Sequence, residues 1–127
     1  MNKTILVTGA MAGLLAVLLG AFGAHGLEKL VDAKQISSFA TGVRYQMYHA
    51  LLLLIIGSVN FISEVAKRKM FYFFLGGILL FSGSIYLLVM DEVFSMDFSA
   101  IGFITPLGGL LLIIGWIFLL ISLLKIK

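Results

Sequence analysis

The chain has no cysteine, only two histidines and little charge. Without cysteine there is no disulfide framework and no thiol chemistry, although the redox compartment stays open. Charged residues are 12% of the 127 residues. Soluble domains average roughly 25% charged and about 45–50% apolar. Here the hydrophobic share is 61% and the mean hydropathy +1.16. A small domain keeps much of its surface exposed and could not hide that much apolar area from water. Lipid is the expected solvent. The net charge of +3 is read as loop lysines between apolar runs, so no nucleic-acid partner is expected.

Charge is missing altogether from four apolar runs, Ile5–Ala24, Tyr45–Ser63, Met70–Met90 and Ile101–Leu124. Each is near the roughly 20 residues a helix needs to cross the hydrocarbon core, and lipid leaves an open backbone unsatisfied, so helices are expected. Thr105-Pro106 reads as an N-cap followed by a first-turn proline. That moves the start of the fourth helix toward Pro106, and the spans are set at about 5–24, 45–63, 70–90 and 104–124. The first run has Lys3, an apolar stretch and Ala21-Phe22-Gly23, as a cleavable signal would. It exceeds the roughly 7–15 residues of a signal core, so a retained span is expected. The fold expected is an all-α, single-domain, integral membrane four-helix bundle.

Orientation follows from lysine and arginine. With the N-terminus inside, Lys3, Lys67, Arg68, Lys69, Lys125 and Lys127 are cytoplasmic, against Lys29, Lys34 and Arg44 outside. The last outer loop has Asp91, Glu92 and Asp97 and no base. Both termini are therefore expected in the cytoplasm. Glu64–Lys69 reads as a tight basic turn. Between the first two spans, Leu27, Leu30 and Val31 share one helical face, and Ile36, Phe39, Ala40 and Val43 share another. This predicts a short interfacial helix, a break near Asp32–Gln35, and a lead-in to the second span capped near Ser37. Phe94, Met96, Phe98 and Phe103 predict an outer loop lying on the membrane or over the bundle.

Membrane helices associate through close fit rather than hydrophobic gain. Small residues mark the expected contact faces: Gly9, Gly13, Ala16 and Gly20 in the first helix, Ala50 and Gly57 in the second, Gly76 and Gly83 in the third, Gly108 and Gly115 in the fourth. The first helix has more small positions than one neighbour needs, which leaves a homo-oligomer open.

Polar groups within lipid point to function because they are costly unless paired or wet. His25 lies at the outer end of the first helix. Arg44, Tyr45, Gln46, Tyr48 and His49 fall in the first outer turns of the second. Tyr86 is near the outer end of the third, with Ser82 and Ser84 a turn deeper, and Thr105 opens the fourth. The inner half has only Asn60 and Ser63 as comparable groups. The candidate ligand-binding set is His25, Arg44, Tyr45, Gln46, His49, Tyr86 and Thr105. A structural alternative has His25 capping its helix, Arg44 snorkelling and the tyrosines forming an interfacial belt, with Trp116 facing lipid.

Metal binding wants three or four ligands. Two histidines, even with Glu28 and Asp32, do not make a spacing that demands one, so no metal or other cofactor is expected. Bis-histidine haem through His25 and His49 needs both rings at one depth. No serine or cysteine stands beside a convincing base, which weighs against an enzyme.

The strings LGAFGAHGL, FATGVRYQMYHALLLL, SGSIYLL and ITPLGGLLLIIGW resemble a small integral-membrane family catalogued as domain of unknown function 423, with YgdD- and YwdK-like members. The resemblance covers nearly the whole chain. It implies a four-helix protein of the bacterial plasma membrane and no established activity. Its motif matches His25, Gly26, Arg44, Tyr45, Gln46, Tyr48, His49, Ser82, Gly83, Thr105, Pro106 and Gly108 here. That weighting raises a functional site above the structural alternative without naming the function. The function expected is a membrane binding or scaffold protein, with a polar pocket for a lipid or small apolar ligand in the extracytoplasmic half. The alternatives are a small oligomeric transporter or channel, and a membrane enzyme or redox protein using His25 and His49.

Overall fold

The computed structural model describes residues 1–95 and 97–127, without the Glu92 side chain. Met96, expected on the outer loop, lies outside the described residues. Among these the secondary structure is entirely helical. The helices are α1 (Lys3–His25), α2 (Ala33–Ser58), α3 (Glu64–Val89), the single turn α4 (Asp91–Phe94) and α5 (Ile104–Leu124). The four longer ones are long and apolar enough to cross a membrane. Leu14, Leu18, Ile55, Leu79, Ile113 and Ile121 are exposed along them, a distribution suited to lipid and not to water.

Local chemistry sets the helix starts. The Asn2 side chain caps α1, accepting from the Ile5 amide at 3.2 Å. Asp32 and Gln35 form a capping box at the start of α2, each side chain accepting from the other's amide at 2.9 and 3.1 Å. That box, rather than Ser37, begins the helix. α2 therefore starts at Ala33, well before the apolar run at Tyr45, and the connection from α1 contains one 3₁₀ turn, Leu27–Lys29. Ser63 caps α3 through the Ala66 amide. α5 has no side-chain cap: Phe103 holds the N-cap position, and Thr105 lies inside the first turn with its hydroxyl engaged elsewhere.

The long helices alternate in direction and pack in chain order, α1 on α2, α2 on α3, α3 on α5. Both termini and the α2–α3 turn share one end of the bundle, called here the terminal end. His25, the α1–α2 connection and the loop after α3 share the other. Two apolar clusters fill the core. One, nearer the terminal end, joins Ile5, Leu53, Ile56, Met70, Phe74, Leu112 and Leu119 from all four long helices. The other, toward the His25 end, centres on Leu27, Phe39 and Val89.

Small residues set how closely the helices approach. A Cβ on Gly108 would overlap the backbone of Leu80 and Phe81, so only glycine permits this α3–α5 contact. Gly115 accommodates the Phe74 ring on the same interface, and Gly9 and Gly57 admit α2 and α1 residues to each other. Ala16 is buried. Gly13 and Gly20 make ordinary contacts with Ala50 and Val43, and Gly76 does so with Leu111. Gly83 has nothing within 4 Å of where a Cβ would lie.

The terminal end is tied together by polar groups. The Asn2 amide nitrogen donates to the Gly57 carbonyl at 2.9 Å, and Asn2 Nδ2 donates to Glu64 Oε2 at 2.9 Å. Lys67 is only 1% exposed and its Nζ donates to Glu64 Oε1 at 3.3 Å. Its burial follows from position, since Lys67, Met70 and Phe74 recur at three- and four-residue spacing on the inward face of α3.

Candidate functional site

Because α2 begins so early, Gln46 and His49 lie near its middle rather than in its first turns. They sit between the two apolar clusters and form a polar belt. Gln46 is 5% exposed. Its Nε2 donates to the Ala12 carbonyl of α1 at 2.8 Å, and its Oε1 accepts from the Tyr86 hydroxyl of α3 at 2.7 Å. One amide thus joins three helices. Interhelical hydrogen bonds in membranes contribute about 0.6 kcal/mol each on average and up to about 1.7.

His49, one turn further, is turned toward α3 and α5 and is 3% exposed. Its ring is surrounded by Phe74, Trp116 and Tyr45, with centroids at 5.6, 6.0 and 6.3 Å. Trp116 Nε1, which can only donate, bonds His49 Nε2 at 3.0 Å. Nε2 is therefore the acceptor and Nδ1 carries the proton, which it donates to the Tyr45 carbonyl at 2.6 Å. The two ring nitrogens are both engaged, and no lone pair faces a cavity. Two further bonds complete the belt: Ser82 Oγ donates to the Gly42 carbonyl at 2.7 Å, and Ser84 Oγ meets Thr105 Oγ1 at 2.5 Å. Among the described residues, every buried side-chain nitrogen or oxygen has a partner.

The seven candidate residues separate into several places. Gln46 and Tyr86 meet. Tyr45 stacks beside His49 but is itself exposed. Thr105 pairs with Ser84. Arg44 is exposed, donates to Thr41 Oγ1 at 3.2 Å, and edges a shallow groove with Gly20, Gly23 and Phe39. His25 is exposed at the end of α1. Gly23 is level with Phe39, so His25 and His49 are separated by about 18 Å of helix rise. They share no depth and no gap, and the geometry does not assemble a bis-histidine haem or a shared metal site.

The sequence reads Trp116 as a lipid-facing or belt residue. It is 48% exposed, yet its N–H reaches the core. The available signal was its position beside the buried Leu112–Gly115–Leu119 face of α5. Glu64–Lys69, read as a tight basic turn, instead forms the start of α3, and Lys67 within it is buried.

Gln46 and Tyr86 also floor a groove of about 460 Å³ between α1 and α3. Met11 and Leu15 line one wall, Leu75 and Leu79 the other. Gly83 lies in the α3 wall, and its missing side chain leaves the space open.

The architecture is that of a small integral membrane protein with four membrane-length helices and a polar belt across its core. The chain belongs to the family described as "Protein of unknown function (DUF423)", which matches residues 19–109. It is 42% identical to the UPF0382 membrane protein YwdK of Bacillus subtilis, over 97% of this chain and 98% of that one. A UPF0382 membrane protein of Staphylococcus saprophyticus is 40% identical over 98% and 99% of the two chains. One from Haemophilus influenzae is 39% identical over 92% and 90%. No solved structure matches the chain.

Proposed function

We propose that this protein is a membrane binding or scaffold protein that holds an apolar ligand, a lipid chain or a small hydrophobic molecule, in the groove between α1 and α3. The observation that carries this reading is the open space over Gly83 above a floor of Gln46 and Tyr86. The volume of about 460 Å³ falls in the range of small-molecule sites, roughly 300–1,000 Å³. Gln46 uses one of its two amide hydrogens on Ala12. The second suits a single acceptor oxygen on an otherwise apolar ligand. The remaining belt groups are bonded to one another or to backbone carbonyls, which favours binding over conduction.

Gly83→Phe tests the groove, because it fills open space without meeting the core. Wild-type protein extracted in native lipid discs is expected to carry a stoichiometric hydrophobic molecule, read by mass spectrometry. The variant should lose it while melting at the same temperature. Equal retention by the variant, or nothing bound to wild type, overturns the reading.

The same reading has the protein in a bacterial-type plasma membrane with both termini cytoplasmic and the Gln46–Tyr86 floor near mid-depth, bonded to Ala12 of α1. Support comes from the lysine and arginine bias. The lack of cysteine makes labelling clean. An impermeant maleimide on intact cells should modify Leu30→Cys and spare Lys127→Cys. The reverse pattern inverts the topology.

A further inference from the structure

The two ends of the bundle differ in charge. Lys3, Lys67, Arg68, Lys69, Lys125 and Lys127 face one acid, Glu64, at the terminal end. Lys29, Lys34 and Arg44 face Glu28, Asp32, Asp91, Glu92 and Asp97 in the connections at the other. Part of that excess is gathered at one place. A groove of about 460 Å³ runs between the first turn of α3 and the last turn of α5, with Phe61, Ser63, Phe118, Ser122, Lys125 and Lys127 in its lining. The Lys69 ammonium sits 5.7 Å over the Phe118 ring, a third cation beside the groove though not in its lining.

Among the described residues these three lysines have no ion-pair partner. Among the described residues the one ion pair is Lys67 with Glu64, and that carboxylate is also engaged by Asn2. Ser122 spends its hydroxyl proton on the Phe118 carbonyl at 2.9 Å, whereas the Ser63 hydroxyl only accepts, from the Ala66 amide, so the lysines and the Ser63 hydroxyl are the side-chain donors available to an anion. The groove is therefore amphipathic, with aromatic walls and a cationic rim at the level where a helix leaves the bilayer.

We propose that this groove binds an anionic phospholipid, its phosphate held by Lys125 and Lys127 beside Lys69 and an acyl chain lying along Phe61 and Phe118. A lipid fits better than free phosphate because Phe61, Ile62 and Phe118 offer apolar side chain that a small anion leaves unused. This site is separate from the groove at Gly83 and does not depend on that reading.

The test separates a built site from diffuse attraction of a basic surface. Two charge-matched double variants are compared in the full chain, Lys125→Gln/Lys127→Gln and Lys3→Gln/Arg68→Gln. Arg68 lines a different depression, with Asn2, Ile5 and Tyr72. Neither of the first two lysines is part of a helix, since α5 ends at Leu124. The purified proteins are titrated with phosphatidylglycerol in neutral detergent and bound lipid is read by native mass spectrometry, with phosphatidylcholine as the uncharged comparison. Wild type should retain one phosphatidylglycerol in preference to phosphatidylcholine. The Lys125/Lys127 variant should bind it about tenfold more weakly, and the Lys3/Arg68 variant should bind it as wild type does. Equal weakening in both variants overturns the groove in favour of general surface charge. Unchanged binding in the first overturns it outright. Displacement of the lipid by millimolar inorganic phosphate makes the ligand a free anion and overturns the lipid.

Discussion

Gly77 and Gly83 lie on the same helix within two turns of each other, and their surroundings are opposite. A Cβ on Gly77 would press into the Leu112 side chain and come within 3.2 Å of the Gly108 carbonyl. A Cβ on Gly83 would meet nothing within 4 Å. The first glycine removes bulk so that α5 can approach, which is how membrane helices gain contact without a hydrophobic drive. The second removes bulk and no neighbour moves in. One side of α3 is a closed seam and the other an open groove, built from the same residue.

The seam should break most severely. Gly108→Leu drives a side chain into the Leu80–Phe81 backbone, which cannot rotate away as a side-chain tip would. A loss of about 3 kcal/mol or more is expected from unfolding in mixed micelles. A loss under about 1 kcal/mol means that α3 and α5 approach less closely than described. The floor of the groove comes next. Gln46→Leu removes the bonds to Ala12 and Tyr86 at similar side-chain volume, and should lower stability by about 1–2 kcal/mol. No measurable change there would show that the amide does not hold α1 to the bundle. The open side should be least sensitive. Gly83→Phe is expected to shift stability by less than about 0.5 kcal/mol while emptying the groove. A larger loss would mean the space is already filled by protein.

Much of the fold was legible in the sequence. Four uncharged runs and an all-helical membrane architecture follow from composition, because hydropathy is a local sum and lipid enforces internal hydrogen bonding. Helix ends were less legible. Asp32 and Gln35 spell a capping box, but Ser37 offers a competing cap, and the choice between them moves Gln46 and His49 from the edge of α2 to its middle. Thr105 before proline reads as a cap, yet its hydroxyl bonds Ser84 across the interface. Gly76 and Gly83 read as the contact face of the third helix, while the tight contact belongs to Gly77.

The candidate site was legible as a set of residue types and not as a set of partners. The Gln46–Tyr86 pair joins two candidates, but His49 turned to Trp116, and His25 met neither. By itself the sequence determined where the chain is apolar, which end is basic and which polar residues the helices carry. Those are properties of single residues summed along a chain. The tertiary structure decided which glycine closes a seam, which leaves a groove, and which nitrogen accepts from Trp116. Each depends on how a helix is rotated about its axis, where one residue is about 100°. That rotation is set by neighbouring helices and not by local sequence.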